Sequence, residues 1–238
     1  LFVAGVATSL VVGAFVGFMC DKYGRKKCAS AYCVLYIVSC LTKHVNNYYM
    51  LMFGRVTGGI ATSLLFSCFE CWMVAEHRTR HKFSSGLLCY MFGLMFTLMY
   101  LVAILSGILG QFLADATPLQ PLAPNSMIHV GGALMPFDVA IVCLIIGLVL
   151  ITFLWTENYG GAAPEHDSRQ SEDSMMHKLA MSMRLCLSDR RIWLLGLLVA
   201  SFEGSMFAFV FNWTPALESL KVPPPYGLIF SLFMMACM

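Results

Sequence analysis

Long apolar runs separated by short polar stretches most constrain what this chain can fold into. Six runs approach the roughly 20 residues that an α-helix needs to cross a membrane, and a seventh starts near Tyr226. The six runs are 1–20, 28–41, 48–74, 86–113, 136–155 and 192–213. Only 12% of the 238 residues are charged, which is about half of the share in soluble domains. The sequence therefore predicts an all-α membrane protein.

Positive charge is concentrated on one side of these predicted helices. Twelve of the 15 Lys and Arg residues lie in the segments 21–27, 76–82 and 156–191, which alternate along the chain with nearly uncharged loops. Loops that are rich in Lys and Arg stay on the cytoplasmic side of a membrane. The sequence therefore predicts that these three segments are cytoplasmic, with Arg55 inside a helix and Lys43 and Lys221 on the opposite side.

The short loop between the first two runs has a recognisable pattern. From residue 17 to residue 27 the sequence reads GFMCDKYGRKK. This stretch resembles the cytoplasmic loop signature between helices two and three of the major facilitator superfamily. The resemblance implies a secondary transporter with two six-helix bundles, of which this chain would be a fragment covering roughly helices 2 to 8 of 12. The residues that match the signature are Gly17, Asp21, Gly24, Arg25 and Lys26.

The same resemblance predicts three segments. We expect residues 1–155 to form an N-terminal bundle that lacks helix one, residues 156–191 a cytoplasmic linker, and residues 192–238 the start of a C-terminal bundle. Residues 160–174 are rich in Gly, Ser, Pro and charge, which is typical of a segment without regular structure. Residues 175–187 carry one apolar stripe, which predicts a helix lying on the cytoplasmic leaflet.

Charged side chains inside a membrane are costly and mark functional positions. Arg55 shares a helical face with Gly59 and Thr62, and we expect its guanidinium to bind an oxyanion in a central cavity. The alternative is a structural Arg that reaches the outer surface. Glu203 lies near the middle of its run, where we expect it to accept a coupling proton or to pair with a basic residue elsewhere. The predicted substrate-binding residues are Arg55, Gly59, Thr62 and Glu203.

A second predicted group lies at the cytoplasmic ends of the helices. Glu70 is roughly 22 Å along the helix axis from Arg55, so the two side chains are too far apart to pair. We expect Glu70 or Glu76 to pair with Arg25 beside Asp21 in a gate, and the alternative is a solvated helix end. The predicted gating residues are Asp21, Gly24, Arg25 and Glu70.

Other chemistry has little support in the sequence. Cys68 and Cys71 form a C-x-x-C motif without a second pair, so we expect the cysteines to act as small buried apolar residues and predict no metal site. There is no motif for a catalytic nucleophile or a phosphate loop, and Arg55, Glu70 and Glu203 lie at three depths. We therefore predict no enzyme activity, no cofactor and no nucleic-acid partner.

Several further stretches are similar to the molybdate-anion transporter family, a branch of the same superfamily. The resemblance implies uptake of molybdate, a tetrahedral dianion, from outside the cell by alternating access. It also implies a multi-pass protein of the plasma membrane, in contact with the lipid bilayer. Two alternatives stay open: transport of another anion such as sulfate or an organic anion, and a facilitator-like membrane sensor that does not transport. The similar stretches are 21–26, 54–59, 65–72, 157–159, 187–191 and 202–215.

Overall fold

The computed structural model of this chain describes residues 1–123, 126–160, 177, 180–181, 184, 187–218 and 224–237. These residues are almost entirely helical, and one short antiparallel pair of strands, β1 (Gln120–Pro121) and β2 (His129–Val130), lies in the loop between the fourth and fifth helices. The helices are α1 (Phe2–Tyr23), α2 (Arg25–Leu41), α3 (Tyr48–Ala75), α4 (Ser85–Ala116), α5 (Met135–Leu154), α6 (Arg190–Glu218) and α7 (Tyr226–Cys237).

Five of these helices, α1, α3, α4, α5 and α6, are long and apolar enough to cross a membrane. Helix α2 has 17 residues and starts with three cations, and α7 has 12 residues. Local capping helps to set the helix starts, because the side chain of Asn47 accepts a hydrogen bond from the Tyr49 amide and that of Ser84 accepts one from the Leu87 amide. The prediction of an all-α protein with several membrane-spanning helices is confirmed.

The chain divides into two compact units. One unit consists of Leu1–Ala163 together with Gly227–Met238, and the other is Pro164–Tyr226. The first unit contains α1 to α5 and nearly all of α7, and the second contains α6. The predicted irregular stretch lies outside the described residues except for Gly160, and most of the predicted interfacial helix at 175–187 lies outside them too. The division into two bundles and a linker stays a prediction.

The core of the first unit lies where α1, α2, α3 and α5 meet. Each of these helices contributes buried residues to one apolar cluster, so the core joins segments that are far apart in the sequence. The cluster consists of Val16, Cys20, Cys28, Ala29, Cys33, Leu64, Cys68 and Ile151.

Glycines allow α3 to approach its neighbours closely. A methyl group on Gly59 would collide with the backbone oxygen of Gly5 in α1, and one on Gly58 would lie 2.9 Å from the hydroxyl of Ser39 in α2. Ser39 donates a hydrogen bond of 2.7 Å to the backbone oxygen of Gly54. Small residues of this kind are typical of helix contacts inside membranes, because attraction there depends on close packing rather than on the exclusion of water.

This close approach leads to a stability prediction. We expect Gly59→Val to push α1 away from α3 and to lower the free energy of unfolding by about 1–3 kcal/mol, which is the usual cost of overpacking. The matched control is Gly147→Val in α5, because no atom lies within 4 Å of a methyl group placed there. Thermal unfolding in detergent measures both variants. Equal melting temperatures would contradict the tight contact between α1 and α3.

Candidate functional site

The turn between α1 and α2 requires a glycine. Gly24 has φ 102° and ψ 135°, a backbone conformation that residues other than glycine rarely adopt. A methyl group at this position would also lie 2.5 Å from the carboxyl carbon of Glu157. The turn therefore depends on Gly24 for two independent reasons, its backbone angles and the space beside it.

Arg25 links this turn to α3. Its guanidinium donates hydrogen bonds to the Asp21 carboxylate at 2.7 and 3.2 Å and to the backbone oxygen of Cys71 at 3.1 Å. The Arg25 side chain is only 11% exposed, so water screens the pair weakly on that side. In the part of the chain that the structure describes, Arg25 forms an ion pair with Asp21 and with neither Glu70 nor Glu76. Glu76 instead pairs with Arg80.

The segment after α5 binds the same turn. The carboxylate of Glu157 accepts a hydrogen bond of 2.9 Å from the Lys26 amide, which is one of the unpaired amides at the start of α2. The backbone oxygen of Asn158 accepts another, of 3.1 Å, from the Arg25 amide. A carboxylate at a helix N-terminus also interacts favourably with the helix dipole. Glu157 therefore stabilises the start of α2, a role that the sequence analysis did not assign.

The same segment holds the end of α3. Trp72 donates an indole hydrogen bond of 2.9 Å to the backbone oxygen of Thr156, and its ring stacks on Trp155 with centroids 3.9 Å apart. The side-chain amide of Asn158 donates to the backbone oxygen of Trp72 at 3.2 Å. The sequence signal for this segment is the Glu-Asn-Tyr stretch at 157–159, which resembles the family but does not reveal which helix ends it binds.

A cavity of about 360 Å³ opens beside this network, at the end of the unit that is predicted to be cytoplasmic. Arg25 and Arg78 contribute positive charge to its wall, and Glu70 contributes negative charge. Glu70 and Arg25 therefore line the same cavity, but the ion pairs found in the described part of the chain do not include one between them. The cavity is lined by Arg25, Glu70, Cys71, Val74, Ala75, Arg78, Thr79, Phe92, Tyr159 and Gly160.

Arg55 lies near the opposite end of α3, about 10.5 Å along the helix from Tyr48. Its side chain is exposed, and among the described residues no carboxylate forms an ion pair with it. Burial lowers the pKa of the half-buried Lys43 amine, and the positive charge of Arg55 lowers that pKa further. The ends of α2 and α3 that are predicted to face outward thus carry two cations close enough to repel each other.

Two other predicted substrate-binding residues lie on the same helix as Arg55. Thr62 is half-buried and donates its hydroxyl hydrogen bond to the backbone oxygen of Gly58 at 2.8 Å, which leaves its lone pairs free to accept. Gly59 is buried against Gly5 and Thr8 of α1, so no substrate fits beside its Cα in this arrangement. The structure gives Gly59 a packing role in the contact between α1 and α3, and its predicted substrate contact stays a prediction.

Glu203 lies near the centre of α6, about 20 Å along the helix from Arg190. Its side chain is exposed, and among the described residues it forms no ion pair. The nearby hydroxyls of Ser201 and Ser205 donate to backbone oxygens one turn earlier in the same helix. Glu203 is thus the single carboxylate in the middle of a 29-residue helix that is long and apolar enough to span a membrane.

Known proteins resemble this chain over its whole length. It is 33% identical to the molybdate-anion transporter of Xenopus laevis over 99% of this chain and 47% of the relative. It is 31% identical to the protein of that name from Xenopus tropicalis, with the same coverage. The identity to the one from Danio rerio is 32%, over 100% of this chain and 50% of the relative. The chain spans about half the length of these relatives.

A family profile gives the broader assignment. The match covers residues 1–238, and the family is described as sugar transporters with 12 transmembrane helices. No solved structure matches the chain. The membrane-spanning helices, the Asp21–Arg25 turn and the full-length profile match agree with one another. The chain therefore belongs to this family of 12-helix transporters in the major facilitator superfamily.

Proposed function

We propose that the protein to which this chain belongs takes up molybdate across the plasma membrane by alternating access. The observation that carries the proposal is the similarity to proteins named molybdate-anion transporter along 99–100% of this chain. The exposed Arg55, which has no carboxylate partner among the described residues, supports an anionic substrate. The proposal concerns transport rather than an enzyme reaction.

Arg55 would provide the main attraction for the substrate. A guanidinium carries a positive charge and presents forked donors that match the oxygen atoms of a tetrahedral oxyanion. Lys43 adds a second positive charge near the outer end of α3, where a dianion would enter. Attraction by two cations is reduced by salt, so entry would be faster at low ionic strength.

Glu203 would couple a proton to the transported anion. An ionised carboxylate and a dianion repel each other, so protonation of Glu203 would favour the loaded state. Thr62 would contribute a hydroxyl on the same helix as Arg55. Gly59 would allow the close contact between α1 and α3 beside Arg55 and Thr62, and a change in this contact during transport would expose it to the substrate.

The turn between α1 and α2 would act as the cytoplasmic gate. Asp21, Gly24 and Arg25 hold the ends of α1, α2 and α3 together, and Glu70 lies in the adjoining cavity. Rocking of one bundle against the other requires such contacts to form in one state and break in another. The Asp21–Arg25 pair is suited to this because the Arg25 side chain is mostly buried while Asp21 is partly exposed, so water can replace the contact when the gate opens.

Uptake measurements test the proposed function. Cells that produce the full-length protein are compared with vector controls for molybdenum accumulation from external molybdate, with sulfate or a neutral hexose as competitor. We expect accumulation above the control that neither competitor abolishes. Inhibition by sulfate alone would favour a broader anion transporter, and inhibition by the hexose would favour a sugar transporter. Absence of accumulation at normal surface expression would overturn the proposal and favour the sensor alternative.

Coupling to protons leads to a separate prediction. We expect uptake by the unmodified protein to rise as the external pH falls, and uptake by Glu203→Gln to lose this dependence, because the amide cannot gain or lose a proton. Glu218→Gln is the matched control, since Glu218 is the last residue of the same helix. Initial uptake rates across external pH check the prediction. Parallel pH profiles for the unmodified protein and Glu203→Gln would rule out coupling through Glu203.

A further inference from the structure

Three cysteines from three helices meet in the core of the first unit. Cys20 of α1, Cys28 of α2 and Cys68 of α3 place their sulfur atoms within 4.8 Å of one another. The Cys20 and Cys68 sulfurs are 2.9 Å apart. All three side chains are buried, with relative exposures of 1%, 7% and 0%. Residues 48 positions apart in the sequence thus form one thiol cluster.

The cluster differs from the motif that the sequence displays. Cys71, the second cysteine of the C-x-x-C motif, is exposed and does not belong to the group. The surroundings of the three sulfurs are apolar and include Val16 and Leu64. A single cysteine in such a place is readily explained as a small apolar residue. Three sulfurs that converge on one point instead provide a set of soft ligands with a common centre.

We propose that Cys20, Cys28 and Cys68 bind one Cu(I) ion. Thiolates select Cu(I), zinc and iron–sulfur clusters, and structural zinc is held by four ligands in a tetrahedron. The described residues supply three ligands here, which suits the three-coordinate geometry of Cu(I). A metal–sulfur bond of about 2.3 Å places the sulfurs of a trigonal site about 4.0 Å apart. All three sulfurs lie within 4.8 Å of one another, and the Cys20 and Cys68 sulfurs, now 2.9 Å apart, would separate by about 1 Å to admit the ion.

Charge balance is compatible with this site. Two of the three thiols release their protons to water when the metal binds, the third binds as a neutral thiol, and copper and sulfur keep their oxidation states. Two thiolates and one neutral thiol around Cu(I) leave a net charge of −1, which limits the cost of burial. Cys28 lies in the first turn of α2, where the helix dipole favours negative charge. The three cations that begin α2, at 25–27, precede it directly.

The position of the site indicates what bound metal would do. Cys20 directly precedes Asp21, and the Cys28 amide donates a hydrogen bond of 3.1 Å to the backbone oxygen of Gly24. An ion held by all three sulfurs would therefore clamp α1, α2 and α3 immediately beside the Asp21–Arg25 turn. This inference concerns metal binding and does not depend on which substrate the protein transports.

Titration with Cu(I) under reducing, oxygen-free conditions tests the site. The full-length protein in detergent is titrated against a chromogenic Cu(I) chelator, and X-ray absorption identifies the ligand atoms. We expect about one equivalent of Cu(I) per chain, bound by sulfur. The triple variant Cys20→Ala/Cys28→Ala/Cys68→Ala should lose this equivalent. Cys40→Ala is the matched control, because Cys40 is also buried in α2 but lies about 18 Å along the helix from Cys28.

A second measurement needs no variant and covers the case in which the triple variant does not fold. Prolonged exposure to a small alkylating reagent first fixes the slow rate at which the buried Cys20, Cys28 and Cys68 react in the copper-free unmodified protein, as read by peptide mass spectrometry. Cu(I) should lower this rate, while the exposed Cys143 should react equally fast with and without copper. Equal copper binding by the triple variant and the control would overturn the proposal, as would nitrogen or oxygen ligation. Unchanged alkylation of the three cysteines in the presence of Cu(I) would overturn it as well.

Discussion

Arg55→Ala is expected to lower molybdate uptake by about 30-fold or more at equal surface expression. The estimate follows from the cost of removing one partner of a buried hydrogen-bonded charge pair, about 2–5 kcal/mol, which applies if the bound anion is enclosed with Arg55 in the loaded protein. The loss should appear mainly as weaker substrate binding, because the cation attracts the anion before the protein changes conformation. Initial rates of molybdenum accumulation over a range of external molybdate concentrations measure it.

Two further variants separate charge from geometry. Arg55→Lys keeps the positive charge but loses the forked donors, so we expect uptake between that of the unmodified protein and that of Arg55→Ala. Arg191→Ala, at the exposed start of α6, removes a cation of the same type and should leave uptake unchanged. Full uptake by Arg55→Ala would instead support the structural alternative, in which the guanidinium only reaches the outer surface.

Gly24→Ala is expected to have the largest effect on the integrity of the cytoplasmic turn. The backbone at φ 102° disfavours any side chain by about 1–3 kcal/mol, and the added methyl group meets the Glu157 carboxylate. The collision should displace Glu157 from the Lys26 amide and so weaken the start of α2. We expect a lower melting temperature in detergent and loss of uptake.

Gly17→Ala is the matched control for this prediction. The same substitution there, seven residues earlier in α1, meets no atom within 4 Å and lies inside a helix. Alanine is favoured over glycine by roughly 0.5–1 kcal/mol in a helix interior, so Gly17→Ala should be neutral or slightly stabilising. Equal melting temperatures for the two variants would show that the turn tolerates a side chain and would refute the requirement for glycine.

Apolar runs predicted the helices closely because membrane insertion depends on local composition. The run at 86–113 became α4 (Ser85–Ala116), and the run at 28–41 became α2, which begins three residues earlier than expected. The earlier start follows from Gly24, whose backbone lets α2 begin directly after the turn. The cations at 25–27 are therefore helical, although their charge had suggested a loop.

Side-chain partners were predicted less well. The expected pairing of Arg25 with Glu70 or Glu76 is replaced by the pair with Asp21, four residues earlier. A pair only four residues apart can form whichever helices pack together. Glu76 has such a partner of its own, Arg80, and so, among the described residues, does not pair with Arg25. Gly59 was predicted to line a cavity because it shares a helical face with Arg55, and the position of α1 decides that it is buried.

The sequence by itself determined the membrane-spanning character and the family, because hydropathy and a short loop signature are local properties. The orientation stays a prediction from the asymmetry of the Lys and Arg residues. The tertiary structure decided which distant residues meet. The Glu157 carboxylate binds an amide 131 residues away, and the Cys20 and Cys68 sulfurs meet across 48 residues. Such contacts depend on which helix faces pack together, and helices that are apolar on every side do not reveal their neighbours.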